Sequence, residues 1–97
     1  MTKRSAIHPG EILAEELRES AVTPTELARQ LRVPANRITQ IVQGKRSITG
    51  DTALRLGHWF GMSAHFWLNL QGAYDIRVAA QTAGSEIARL PKREAVR

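Results

Sequence analysis

The chain has 97 residues, a formal net charge of +5, 42% hydrophobic residues and no cysteine. This length suits one domain with a short tail, and the ordinary hydrophobic share argues against bulk disorder. The absence of cysteine excludes disulfides and thiolate metal sites, and with no long apolar run and no signal-like start the expectation is a cytoplasmic protein without a membrane span.

In chain order, residues 1–7 form a basic start that is expected to be loose. Pro9 suits the first turn of a helix, Glu11 complements its positive end, and Ile12, Leu13 and Leu17 share a face, so a first helix is predicted over 9–20. Thr23-Pro24-Thr25-Glu26 reads as a complete capping box opening a helix over 24–31, with Leu27, Ala28 and Leu31 buried. Arg32-Val33 is the turn. Pro34 opens a third helix over 34–43, with Ile38 and Ile41 facing inward, and Gly44 closes it in the left-handed position. Asp51 caps a fourth helix over 51–60, and Ser63 caps a fifth over 64–80, in which Gly72 is a weak point. Apolar content thins over 81–97, which predicts a partly helical or flexible extension beyond a domain spanning 1–80. No strand pattern appears, and the class is all-α.

Residues 23–49 carry the functional signal: two short helices, a tight break, and a polar outer face on the second helix. A helix-turn-helix needs this layout to seat one helix in a DNA major groove. Ala28 is small enough to sit where the two helices cross. Asn36, Arg37, Thr39 and Gln40 are the candidates for base contacts, because Asn and Gln pair with adenine, Arg pairs with guanine, and Thr suits a thymine methyl. Thr23 and Thr25 at a helix start, with Lys45, Arg46 and Thr49 beyond the third helix, are the candidates for phosphate contacts. Charge follows the same division. Glu11, Glu15, Glu16 and Glu19 outnumber Arg18 on the first helix, whereas Arg29, Arg32, Arg37, Lys45 and Arg46 outnumber Glu26 over 26–46. The bland alternative is a solvated polar face on an ordinary helix pair.

Five motifs occur in order: HPGEIL at 8–13, ELA at 26–28, I-x-x-I-x-x-GKRSIT at 38–49, D-x-A-L-R-L at 51–56, and FWLNLQ at 66–71 followed by AYD at 73–75. Together they resemble XRE-type helix-turn-helix proteins, and within them the HigA (VapI-type) antitoxins. The resemblance covers about residues 8–80 and implies a five-helix lambda-repressor-like domain. It further implies a homodimer that binds a palindromic double-stranded operator, represses its own operon, and neutralises a RelE-like mRNA-cleaving toxin, HigB. Recognition helices of this family often carry Gln or Ser in their first turn, where this chain has Pro34 and Ala35, so the reading role falls on Asn36, Arg37 and Gln40.

The remaining chemistry points away from catalysis. His8, His58 and His65 lie in three segments without carboxylates at ligand spacing, so no metal is expected, and His8 is expected to help position the first helix. There is no phosphate loop, no nucleophile–base pattern and no implied cofactor, so neither an enzyme nor a small-molecule substrate is expected. All the aromatic residues fall within 59–74. Trp59, Phe60 and Phe66 are expected in the core, and Trp67, Leu70, Tyr74 and Ile76 at a two-fold interface. For the toxin, the basic start, the 81–97 tail and the acidic first helix are candidate docking segments. Two other readings stay open: a stand-alone regulator without a toxin, and an interaction module that never meets DNA.

Overall fold

Five helices and no strand make up residues 6–94, the part of the chain described by the computed structural model. They are α1 (Pro9–Ser20), α2 (Pro24–Leu31), α3 (Ala35–Val42), α4 (Gly50–Phe60) and α5 (Ala64–Ala88). The predicted looseness of the basic start falls largely on residues outside the described range, as does the very end of the tail.

Helix starts follow local chemistry. His8 is the cap of α1: its Nδ1 accepts from Gly10 N at 2.9 Å while the Glu11 carboxylate accepts from His8 N at 3.3 Å, a closed capping box. At α2 the box is only half formed. Thr23 Oγ1 accepts from Glu26 N at 3.1 Å, but the Glu26 carboxylate turns away to Arg29 and Gln30. Those bonds, from Arg29 first and Gln30 second, pull the Glu26 carboxyl down to about 2. Pro34 lies just outside α3 as its cap, in an extended conformation. Gly44 takes φ +77° beyond the helix end, and Lys45 N donates to Gln40 O at 2.8 Å across the turn. Thr49, not Asp51, holds the cap position of α4, without a side-chain bond to the helix, and the Asp51 carboxylate turns to other partners.

The fifth helix is longer than its apolar content suggested. It passes Gly72 without a break and continues beyond residue 80 to Ala88. Ala79, Ala80, Gln81, Ala83, Glu86 and Ala88 are mostly strong helix formers, and no proline intervenes before Pro91.

The core gathers Leu13 and Leu17 of α1, Leu27, Ala28 and Leu31 of α2, Ile38 and Ile41 of α3, Ile48, then Ala53 and Leu56 of α4 and Trp67 of α5. Each large side chain fully buried here contributes about 1.5–3 kcal/mol of hydrophobic stabilisation. The contact between α1 and α3 is close enough that a β-carbon on Gly10 would lie 1.8 Å from Ile41 O. Only glycine fits there. Trp59 and Phe60 pack half-buried against this core, but Phe66, expected inside, is 40% exposed. The reason is the helix turn: Phe66 precedes the inward-facing Trp67 by one position, about 100° round the helix.

Candidate nucleic-acid interface

The turn between α2 and α3 is built from one left-handed residue. Arg32 takes φ +60°, and Val33 N then donates to Ala28 O at 3.0 Å. Ala28 is 1% exposed and lies in the core with Leu27, Leu31, Ile38 and Ile41 of the two helices. Burying Ile38 and Ile41 fixes the rotation of α3, and so decides which side chains face out.

Asn36 and Gln43 are exposed and Gln40 is half-buried, at i, i+4 and i+7 positions that form one line along the outside of α3. Thr39 flanks this line on one side and Arg37 on the other. The four candidate base readers therefore share one side of the helix. Arg37 is distinct among them: its side chain is 29% exposed and its Nη1 donates to Asp51 Oδ2 on α4. That same oxygen accepts from Arg55 Nε at 2.9 Å, and Arg55 Nη1 donates to Leu31 O, the end of α2, at 2.8 Å. Hydrogen bonds from Arg55 and then Arg37 hold the Asp51 carboxyl below the usual carboxylate range.

The candidate phosphate contacts lie to either side. Thr25 is exposed in the first turn of α2, and Thr23 is exposed with its hydroxyl oxygen engaged as the helix cap. Lys45, Arg46 and Thr49 are all exposed on the segment between α3 and α4. A residue that the sequence reading missed holds this segment. Gln71 of α5 is 5% exposed; its Oε1 accepts from Ile48 N at 2.8 Å, and its Nε2 donates to Asp75 at 2.9 Å and to Ser47 at 3.4 Å. A polar residue four positions after Trp67, on the inward side of a helix, was the available signal.

The grouping of Trp67, Leu70, Tyr74 and Ile76 does not survive. Trp67 has no exposed surface and sits among Phe60 and Phe66, with ring centroids 5.5 and 5.1 Å away, so it belongs to the core and not to a two-fold interface. Leu70 is half-buried against the core, and Tyr74 meets the His8 ring edge-on at 4.8 Å. Ile76 is 72% exposed. The physical reason is angular: Trp67, Leu70 and Tyr74 share the inward face of α5, whereas Ile76 lies roughly opposite. Among the described residues no helix is long and apolar enough to cross a membrane.

No protein-family model matches the chain. It is 52% identical over 77 residues to virulence-associated protein I of Dichelobacter nodosus, a match covering 78% of this chain and 71% of that protein. A HigA-family addiction module antidote protein from Coxiella burnetii superposes with a TM-score of 0.89 at 49% identity, covering 94% of this chain and 100% of that one. A structure of Pseudomonas aeruginosa antitoxin HigA with the higBA promoter superposes with a TM-score of 0.88 at 42% identity, covering 93% of this chain and 99% of that one. With five helices in this order, a helix-turn-helix at its centre and relatives of this closeness, the chain belongs to the HigA (VapI-type) antitoxins of the XRE helix-turn-helix family.

Proposed function

We propose that the protein is the antitoxin of a type II toxin–antitoxin module: a dimer that binds its own operator, represses its operon, and keeps a RelE-like mRNA-cleaving HigB toxin inactive in a direct complex. The observation that carries the DNA part is the outer line of α3. Asn36, Gln40 and Gln43 stand on a helix whose opposite face is locked into the core by Ile38 and Ile41. In this reading α3 enters the major groove, Asn36, Arg37, Thr39 and Gln40 meet base edges, and Thr23, Thr25, Lys45, Arg46 and Thr49 meet phosphates. The solved structure of Pseudomonas aeruginosa antitoxin HigA with the higBA promoter supports it. The dimer half rests on α5, where Ile76, Ala80, Ala83 and Ile87 fall on one outward side, with Ile76 72% and Ile87 55% exposed. To read successive half-sites, two-fold pairing along this side has to bring two copies of α3 about 34 Å apart.

Binding to a duplex of the chain's own promoter tests the DNA half. Arg37→Ala should cost about 1–3 kcal/mol on the operator and relax specificity at one position. Lys45→Ala should weaken operator and random DNA about equally, and flatten the log–log salt dependence by about one unit. If both variants bind the operator like the wild type, α3 is not the reader. Co-purification with the product of an adjacent small basic reading frame tests the toxin half. An operator-binding dimer with no such partner is a stand-alone regulator. A protein that shows no sequence preference at any salt is an interaction module.

A further inference from the structure

We propose that Asp51 is a specificity-determining residue of the DNA interface, acting through Arg37; this rests on the reading of α3 as the DNA reader. Arg37 stands at the edge of the outward line of α3, on the side facing α4, and donates through Nη1 to Asp51 Oδ2. Asp51 is itself held from behind. Arg55, one turn further along α4, donates to the same carboxylate at 2.9 Å and to the last carbonyl of α2, Leu31 O, at 2.8 Å. The series Leu31–Arg55–Asp51–Arg37 therefore joins the ends of three helices at the rim of the DNA face.

This arrangement does little for stability, because Asp51 is 54% and Arg55 40% exposed and solvent-exposed ion pairs contribute little. It does much for aim. A guanidinium carries five N–H donors in a fixed planar fork, and Asp51 engages one of its nitrogens, leaving the rest to face a base edge from a fixed pose. An unrestrained arginine at this position swings to whatever phosphate is nearest, and phosphate contacts carry no sequence information. The Asp51 carboxylate opposes that swing twice. It holds Arg37 by a charge-assisted bond, and it offsets part of the positive charge that Arg37 and Arg55 together would otherwise offer to any phosphate. The two arginines around it keep the carboxyl ionised across the ordinary working range of pH.

The test is a pair of dissociation constants, for the promoter duplex and for a random duplex of the same length, at one salt concentration. They are measured for the wild type, Asp51→Ala, Asp51→Asn, Arg37→Ala and the Arg37→Ala/Asp51→Ala double variant, with helix content and melting temperature recorded for each. Asp51→Ala is expected to bind random DNA more tightly and to lose about tenfold in the promoter-to-random ratio, the scale of one paired base contact. Asp51→Asn keeps an acceptor oxygen without the charge, and is expected to fall between wild type and Asp51→Ala. In the Arg37→Ala background, removing Asp51 is expected to leave the ratio unchanged. A folded Asp51→Ala or Asp51→Asn with the wild-type ratio overturns the role, even if its melting temperature falls, and so does an equal effect of Asp51→Ala with and without Arg37. A wild type that does not prefer its promoter overturns the DNA reading, and this role falls with it.

Discussion

His8 is buried at the start of α1, with its Nδ1 engaged as acceptor for Gly10 N and its ring edge-on to Tyr74 of α5. An accepting Nδ1 must be unprotonated, so the cap exists only in the neutral imidazole. Burial pushes the His8 pKa below its ordinary 6.5, and the nearby carboxylates of Glu11 and Asp75 offset this only in part. The sign follows from linkage. Above the unfolded value both states are neutral and the contribution is complete; as pH falls below 6.5 the unfolded chain takes up the proton first, and stability declines until the folded value is passed. The thermal midpoint should therefore drop between about pH 7.5 and about pH 5.5. His8→Asn keeps a capping side chain without a titrating ring, and should flatten that drop. An equal drop in the variant would place the sensitivity elsewhere. Glu26 and Asp51 do not confound this window, because their lowered carboxyls give up their contributions only under more acid conditions.

At the scale of elements, two helices end on a left-handed residue that is not glycine: Ala21 at φ +57° after α1 and Arg32 at φ +60° after α2. A side chain in this conformation costs about 1 kcal/mol relative to glycine. Arg32→Gly should therefore raise stability by about that amount in urea denaturation, and an unchanged or lower midpoint would mean that the Arg32 side chain supports the turn. The opposite case is Gly10. Gly10→Ala must separate α1 from α3 to relieve the contact with Ile41 O, and a loss of about 2 kcal/mol or more is expected in the same assay. The bounds of α1 and α2 were legible in the sequence because proline in a first turn and a capping side chain are local signals. The end of α5 was not, because apolar content fades before the helix does, and a run of Ala, Gln and Glu sustains it by propensity. Aromatic identity does not tell the inward from the outward side of α5, because angle round the helix sets it: Trp67 is buried and Ile76 exposed. The contacts of Gly10 with Ile41 and of Arg37 with Asp51 depend on how helices cross, and nothing in a linear pattern reports that.

At the scale of the molecule, the radius of gyration is 16.9 Å, against about 13 Å for a compact domain of some 100 residues. The second half of α5 accounts for much of this, since most of its residues from Asp75 onward are exposed. A long helix with an apolar outward side is poorly suited to solitude, which favours pairing of two copies there. Ile76→Asp should leave a folded protein that sediments as a monomer and binds its promoter far more weakly. Trp67→Asp should unfold the chain, since it buries a charge at a position with no exposure. A folded, dimeric Ile76→Asp would move the pairing surface elsewhere.

The fifth helix is one uninterrupted rod from the Trp67 anchor to Ile87. If its far half is where two copies meet, the rod behaves as an axle: whatever angle the seam adopts is transmitted without slack to both readers. Adding one residue between the anchor and the seam would turn the far half by about 100° and shift it by about 1.5 Å. The phase between paired sites in a promoter would then be matched to the length of a helix outside the helix-turn-helix.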